Sequence, residues 1–426
     1  MNSTPRWSLA SVRRFDIIYA QRRNPYLVAW WSASFPGFGH LLMYKNTMGV
    51  LLTLSEVMIN SLASINLAMV YSFCGKFEMA KQVLQPLWVY GYMIIYFFAI
   101  WDSYRCALET NKHYELAILE NARFPNQLMR ATGIQFIEKK SPLTAALCSF
   151  FFPGLGQLYN KHIWLGFYGI FWWWVYVTFS HFYEAVLALI LGHNRLVSNI
   201  LHPQWLLFMP SVLGGAIYHS YTSAIEQNRL FRISQRQYLT DYYRLARSSV
   251  YDVTSGGNHP LWIVGTFEHS TELEQALSII EHSGIHSSRI IPILMDIDAD
   301  KSLSIVDQRF DKTAKAVEIG LASATACGVF GISVGFILAW GPIIWGIISG
   351  IGGFLLGFSI GLVLKNKHRF YNKPNILPEV TVLVQYELAE DEALIKQTFW
   401  KYKALTVGKI EKPIHPLHFK PSNNAL

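Results

Sequence analysis

Charged side chains are scarce in this chain: 15% of its 426 residues are Asp, Glu, Lys or Arg, whereas 52% are hydrophobic. Soluble globular domains usually carry about 25% charged residues, so the composition indicates that most of the chain lies in a membrane. Cysteine is scarce as well. The four cysteines lie in or beside apolar segments without the spacing of a metal site, which argues against a disulfide framework and favours packing roles (Cys74, Cys106, Cys148 and Cys327).

Sequence motifs for catalysis are absent. The chain has no nucleophile elbow, phosphate-binding loop, paired zinc ligands or carboxylate dyad, and its histidines are scattered. An enzyme acting on lipid would need a nucleophile and a base in one polar pocket, and no motif supplies them. We therefore expect a protein that is not an enzyme and has no cofactor.

One segment has the ligand spacing of a calcium loop (Asp296, Asp298, Asp300, Ser302, Ser304 and Asp307). Lys301 occupies the position where such a loop needs glycine, and the preceding residues are typical of a strand instead of a helix. We interpret the segment as a solvated acidic loop and expect no bound metal.

The first half of the chain is a tandem repeat with an offset of 117 residues, the distance from Pro25 to Pro142. Phe-Pro-Gly-x-Gly at residues 35–39 recurs at 152–156, and Ser-Tyr-x-x-Ala-x-Glu-x-Asn at 103–111 recurs at 220–228. Because each unit is dominated by apolar runs, the duplicated unit is predicted to be a membrane module.

Each unit begins with an apolar segment that is interrupted by proline and glycine (Pro36, Gly37, Gly39, Pro153, Gly154 and Gly156). These residues disfavour a straight helix, so each segment is predicted to be a re-entrant or interfacial hairpin. Two interpretations stay open. The breaks either present helix ends to a ligand, as in transporters, or only shape a tight packed corner.

An acidic residue, Glu56, lies within the apolar run of residues 49–73, and it shares a helical spacing with Thr53, Asn60 and Ser64. A charge at such a depth costs about 3 kcal/mol, so the side chain should face protein or water. It is either a proton or cation site, or a neutral acid that holds helices together. The second unit has Trp173 at the matching position, so this chemistry is not duplicated.

Basic residues predict the topology. They gather in the N-terminal segment, between the two units and after the second unit, and the net charge is +8. By the positive-inside rule these regions are cytoplasmic, and each unit crosses the membrane twice. Anionic lipid headgroups account for the basic excess, so nucleic acid is not an expected partner.

The C-terminal part changes character. Strand patterns at 261–267, 289–295, 379–386 and 405–410, with helical patterns between them, predict two β-α-β halves of one ferredoxin-like domain. A hairpin of two apolar segments, 321–340 and 343–364, separates the halves. Its glycines recur every three to four residues and predict close helix packing, within the hairpin or against a second copy (Gly331, Gly335, Gly346, Gly350, Gly353, Gly357 and Gly361).

Two parts of the chain resemble known bacterial membrane proteins. Residues 262–411, with Gly265-Thr266-Phe267-Glu268 and the Trp340 to Gly346 block, resemble membrane proteins related to glycine-rich general-stress proteins. The Pro153 to Asn160 stretch is similar to the PGxGQxYN signature of small two-span membrane proteins of Gram-positive bacteria, from which the first unit departs at His40, Leu42 and Met43. The resemblance implies an architecture and a bacterial membrane location, and no particular activity.

These observations predict an α-helical membrane protein with about six spans, a tandem repeat and a small α+β domain. The predicted segments are a basic N-terminus 1–24, repeat one 25–111, a linker 112–141, repeat two 142–228, a basic linker 229–259, a first β-α-β half 260–318, a hairpin 319–364, a second half 378–412 and a tail 413–426.

The expected function is that of a non-enzymatic scaffold or regulator in the bacterial cytoplasmic membrane, with both termini cytoplasmic and a role in stress or sporulation. The expected partners are the lipid bilayer and, through the glycine faces, a second copy or another membrane protein. The alternative is a transporter or channel subunit in which Glu56 is a proton or cation site.

Overall fold

The computed structural model describes residues 10–12, 17–19, 22–119, 128–130, 133–135, 138–248, 261–294, 302–363, 380–386 and 388–410. Within these residues the protein is mostly helical and contains one four-stranded antiparallel sheet and two short hairpins. The chain divides into two compact units. A helical unit comprises Met1–Phe136, Lys140–Asn228 and Ser304–Tyr371, and an α/β unit comprises Ile137–Lys139, Arg229–Leu303 and Asn372–Leu426.

Two strands and then six helices come first along the chain. They are β1 (Ala10–Val12), β2 (Ile17–Tyr19), α1 (Pro25–Ser34), α2 (Phe38–Leu42), α3 (Asn46–Ala63), α4 (Ile65–Phe73), α5 (Phe77–Val83) and α6 (Pro86–Leu119). The next elements are β3 (Leu128–Arg130), β4 (Gly133–Gln135), α7 (Pro142–Phe151), α8 (Leu155–Tyr159), α9 (Ile163–Phe179), α10 (Phe182–Ile190), α11 (Asn194–Ile200), α12 (Pro203–Leu206) and α13 (Phe208–Ser248).

The two sets of helices begin at the same positions at the 117-residue offset. Each helix from α1 to α6 has a counterpart from α7 to α12 that begins 117 residues later, and α12 and α13 together match α6. Turns recur as well. Left-handed backbone conformations occur at Gly37 and Gly154 and again at Ser64 and His181, which have φ values of 57° and 54°. The shared geometry therefore extends through the whole unit, including segments whose side chains differ.

The repeated tail closes each unit onto its beginning. Asn111 Oδ1 accepts a hydrogen bond from the Arg23 amide at 2.8 Å, and its Nδ2 donates to the Arg23 carbonyl at 2.8 Å. Asn228 makes the same pair of bonds to Lys140, at 2.6 and 2.7 Å. These bonds satisfy backbone groups just before α1 and α7, which explains why asparagine ends both tails.

The helix breaks at the Pro-Gly motifs lie where the sequence predicts them. Two further bends in repeat one were not predicted. Helix α1 ends before Phe35, and Gly37 adopts φ 93° ahead of α2. The apolar run of residues 49–73 is, however, not one straight helix: α3 and α4 meet at an angle of 62°, and α5 and α6 meet at 91°. The first bend occurs at Ser64, which lies outside both helices, so the predicted four-residue helical stripe ends at Asn60.

The remaining elements alternate between the two units. They are β5 (Leu261–Phe267), α14 (Thr271–His282), a 3₁₀ turn (Ser287–Arg289), β6 (Ile290–Leu294), α15 (Ser302–Gly335), α16 (Gly341–Val363), β7 (Val380–Tyr386), α17 (Ala389–Lys401) and β8 (Thr406–Ile410). Segments Ala314–Gly335 and Gly341–Val363 are long and apolar enough to cross a membrane, and up to four spans meet this criterion if each bent pair counts as one.

The α/β unit contains the antiparallel sheet, in the order β6-β7-β5-β8. Each β-α-β half contributes two strands that are not neighbours, because a strand of the other half lies between them. The buried core beneath α14 and α17 includes Ile263, Phe267, Val382 and Phe399. Helix α14 is capped by Ser270, whose side chain accepts from the Leu273 amide, and Thr271 is the first helical residue.

Candidate functional site

The space between the two Pro-Gly breaks is the feature that separates the two predicted functions. Repeat one contributes Phe35 and Phe38 to its walls, and repeat two contributes Pro153, Gly154 and Trp172. The cavity has a volume of about 50 Å³, which is room for a few water molecules at most. Its walls are mainly apolar. This space is far smaller than a typical small-molecule site.

The breaks themselves are packed corners. Pro36 and Pro153 are buried. A side chain on Gly39 would collide with the Val28 carbonyl, and one on Gly156 would collide with Ala145. The glycines therefore permit close contact between the broken segment and the preceding helix of the same repeat.

Thr53 and Glu56, one turn apart on α3, have different partners. The Thr53 hydroxyl is hydrogen-bonded to the hydroxyl of Tyr168 in repeat two. Glu56 Oε1 accepts from Asn60 Nδ2 at 2.8 Å and from the Tyr92 hydroxyl at 3.4 Å. Glu56 is 4% exposed, and its Oε2 has no hydrogen-bond partner among the described residues. Burial without a cationic partner among these contacts favours the neutral acid, because an isolated buried charge is costly.

Asn60 belongs to a network of polar side chains at the bend between α3 and α4. We call this network the bend network (Glu56, Asn60, Asn66, Tyr92 and Gln204). Gln204 Nε2 donates to Asn60 Oδ1 at 2.8 Å, and Asn66 Nδ2 donates to the Gln204 carbonyl at 3.0 Å. The first amides of α4 are satisfied in the same place: Asn66 N donates to Asn60 Oδ1, and Leu67 N donates to Gln204 Oε1 at 2.9 Å. The network thus supplies acceptors to a helix start that water could not reach in a bilayer.

Ser64 contributes its backbone to this site. It adopts the left-handed conformation at the bend, and its amide donates to the Ser61 carbonyl at 3.3 Å. Repeat two keeps the left-handed turn at His181, although Trp173 and Val177 replace Glu56 and Asn60 there. The carboxyl and amide of α3 are therefore not what produces the left-handed turn.

A second polar cluster in repeat one was not predicted from the sequence. His40 Nε2 lies 3.0 Å from Asp102 Oδ2, and the Cys106 thiol lies 3.5 Å from the same oxygen. Arg105 binds the other carboxylate oxygen, Oδ1, at 2.7 Å, and Lys45 Nζ lies 2.7 Å from Cys106 Sγ. We call these five residues the Asp102 cluster. The sequence feature that could have indicated this cluster is the difference between the repeats at His40, where the second repeat has glutamine.

The ligand-bearing side chains of the Asp102 cluster are buried, whereas its two cations reach outward. His40, Asp102 and Cys106 are all buried, and their potential ligand atoms lie within 4.8 Å of one another. Lys45 is exposed, and the Arg105 side chain is about half exposed. His40 Nδ1 has no hydrogen-bond partner among the described residues.

Repeat two has different chemistry at the corresponding place. Gln157, His219 and Ser223 stand 117 residues after His40, Asp102 and Cys106. Gln157 Nε2 donates to the Ala216 carbonyl at 2.8 Å, which joins the short helix α8 to α13 by an ordinary hydrogen bond. The carboxylate and the thiol of repeat one have no equivalent there.

The hairpin glycines lie mostly at the contact between α15 and α16. Within the hairpin, Gly331 faces Ser349, Gly335 faces Pro342 and Gly346 faces Ile332. Further along, Gly353 faces Cys327, Gly357 faces Ser323 and Gly361 faces Ala316. Gly350 packs less closely, since a side chain there would be 3.8 Å from the Ala324 carbonyl. The outer surface of α16 is instead covered by exposed isoleucine and leucine side chains.

The residues of the calcium-like segment fall into two groups. Asp296, Asp298 and Asp300 lie outside the described residues, and Ser302, Ser304 and Asp307 belong to α15.

Among the described residues of the α/β unit, His269 is a buried histidine. Its Nδ1 lies 2.9 Å from Gln235 Oε1. Because Gln235 Nε2 donates to the Ser270 carbonyl at 2.7 Å, the amide oxygen accepts from the ring. Burial, reinforced by Arg236, Arg232 and Lys139, lowers the pKa of His269 to about 3. The ring is therefore neutral at physiological pH and is not a switch in that range.

The described part of the helical unit thus has the Asp102 cluster in repeat one, the bend network that joins repeat one to Gln204 of repeat two, and a small apolar cavity between the breaks. Comparisons of the chain with models of protein families, with curated proteins and with solved structures yield no match.

Proposed function

We propose that this protein is a non-enzymatic integral membrane scaffold or regulator of the bacterial cytoplasmic membrane. The observation that carries the proposal is the small, mainly apolar cavity between the breaks, whose volume of about 50 Å³ is far below that of a typical small-molecule site. Glu56, the best candidate for a transport site, is engaged in the bend network. The membrane part then holds the α/β unit at the membrane surface, where it recruits or reports on another component.

We count six spans. Four meet the length and composition criterion when each bent pair is one span (α3 with α4, α5 with α6, α15 and α16), and the repeat adds their counterparts in repeat two (α9 with α10, and α12 with α13). Exposed apolar side chains on α3, α6, α9 and α16 support this count, among them Met58, Phe97, Phe171 and Leu356. Water would make such a surface unstable, whereas lipid chains would cover it.

Contacts within the helical unit support the proposal that the turn of the hairpin, α11 and the end of α4 lie on the same side of the membrane. Gly341, at the turn of the hairpin, packs near Val197 of α11, and Cys74, at the end of α4, donates to the Ser333 carbonyl at 3.2 Å. These turns carry few basic residues. The opposite ends of the helices carry Arg23 and Lys140. By the positive-inside rule, these basic ends and both chain termini are proposed to be cytoplasmic.

The α/β unit is proposed to be a ferredoxin-like domain divided by the transmembrane hairpin. Numbered within the domain, its strand order is 2-3-1-4 with all neighbours antiparallel, as two interlocked β-α-β halves require. The resemblance to proteins related to general-stress proteins adds the expectation of a stress or sporulation role.

The alternative is a transporter or channel subunit, and the buried, incompletely paired carboxyl of Glu56 favours it. A flux assay decides between the two. Purified protein in liposomes should carry H⁺, Na⁺ or K⁺ no faster than protein-free liposomes, and Glu56→Gln should leave this background unchanged. Glu78→Gln is the matched control, because Glu78 is exposed on α5. Flux that is lost in Glu56→Gln and kept in Glu78→Gln would establish the transporter.

A further inference from the structure

The Asp102 cluster has the composition of a metal site. It brings together one imidazole nitrogen, one carboxylate oxygen and one thiol sulfur, all buried. Zinc is a borderline-soft cation that takes these three ligand types in a tetrahedral arrangement. An ion pair explains the contacts among His40, Asp102 and Arg105. The Cys106 thiol, one helical turn beyond Asp102, is directed at the same carboxylate oxygen as the imidazole.

The distances fit such an ion. Ligand atoms bonded to tetrahedral zinc at about 2.0–2.3 Å are separated from one another by about 3.5 Å. Asp102 Oδ2 is 3.0 Å from His40 Nε2 and 3.5 Å from Cys106 Sγ. Asp102 and Cys106 are one turn apart on α6, so both face α2 from the same side.

The surroundings supply outer contacts and access. Arg105 holds Asp102 Oδ1 through two bonds, at 2.7 and 3.2 Å, which leaves Oδ2 directed at the other two ligands. Such outer partners orient metal-binding carboxylates. Lys45 Nζ lies 2.7 Å from the sulfur, and its exposed side chain can withdraw into solvent. The fourth coordination position therefore opens on the Lys45 side.

We propose that His40, Asp102 and Cys106 bind one zinc-class divalent cation that links α2 to α6. Repeat two makes the corresponding link without a metal, through the hydrogen bond from Gln157 to the Ala216 carbonyl. The site is independent of the proposed scaffold function, since it would tie the broken segment to α6 in a scaffold or a transporter alike.

The test uses full-length protein in detergent after removal of metals with a chelator. In the variant C74S/C148S/C327S, Cys106 is the only thiol. We expect this variant to bind one Co²⁺ per chain with a thiolate-to-cobalt charge-transfer absorption, and we expect Zn²⁺ to displace the cobalt. Zn²⁺ should also raise its midpoint of thermal unfolding.

Repeat two supplies the matched substitutions. Gln157 and Ser223 already occupy buried equivalents of His40 and Cys106, so His40→Gln and Cys106→Ser each place in repeat one a residue that this fold accepts. Each should weaken Co²⁺ binding at least tenfold, and Cys106→Ser should abolish the absorption. Absence of the absorption in the parent variant overturns the proposal, even if the substituted proteins do not fold. Equal Co²⁺ affinity of His40→Gln and the parent overturns it as well.

Discussion

Gly37→Ala and Gly154→Ala are each expected to destabilise the protein by about 3 kcal/mol or more, and to the same extent in both repeats. Both glycines adopt positive φ, 93° and 109°, which costs an L-residue about 1–2 kcal/mol. The space for a side chain is also occupied. A Cβ on Gly37 would lie 2.6 Å from the Gly49 carbonyl oxygen and 2.8 Å from the Thr53 nitrogen.

A second pair of glycines provides the control. Gly75 and Gly192 also stand 117 residues apart and have positive φ, 74° and 79°, but no atom lies within 4 Å of a Cβ built on either. Gly75→Ala and Gly192→Ala should therefore show the backbone cost alone, about 1–2 kcal/mol. Thermal unfolding midpoints of the four variants in one detergent would measure the difference. Equal loss in all four would mean that the breaks are not packed corners.

Gln204→Ala is the second substitution with a large expected effect, a loss of about 3 kcal/mol. The side chain accepts from the Leu67 amide at 2.9 Å and donates to Asn60 Oδ1 at 2.8 Å, so its removal leaves the Leu67 amide unpaired and takes away one of the donors to Asn60 Oδ1. Within a bilayer, water does not replace these partners. The midpoint of unfolding in mixed micelles with increasing dodecyl sulfate would report the change.

The matched control is Gln82→Ala on α5. Gln82 is exposed, and surface substitutions of this kind usually change stability by about 0.5 kcal/mol or less. If Gln204→Ala were as mild as Gln82→Ala, the bend network would not hold the repeats together, and Glu56 would need another role.

The sequence repeat predicts the helix breaks because proline and positive-φ glycine act locally. It does not predict the left-handed turns at Ser64 and His181, because neither proline nor glycine occupies these positions. The 62° angle between α3 and α4 depends on contacts with the rest of the repeat. The strand patterns predict the elements of the α/β unit to within a residue or two. Their order in the sheet follows from long-range pairing, as in the register of Ile263 with Val384.

The bend network and the Asp102 cluster differ in how much of each could be predicted from the sequence. Glu56 and Asn60 stand out as polar residues in an apolar helix, but their partner Gln204 lies far along the chain and carries no local signal. The Asp102 cluster combines residues from α2 and α6 that are unremarkable one by one. Only comparison of the two repeats marks them, because His40 and Cys106 replace the glutamine and serine of repeat two.

The central claim is that repeats one and two lie the same way up in one membrane with their basic ends in the cytoplasm. Single cysteines at Lys76 and His193, exposed positions 117 residues apart, test it most directly when the native cysteines are replaced. Both should react with an impermeant thiol reagent on intact cells, whereas cysteines at Lys139 and Lys396 should react only after permeabilisation. Labelling of the cysteines at positions 76 and 193 from opposite sides of the membrane, or of the cysteine at position 139 from outside the cell, would contradict this orientation.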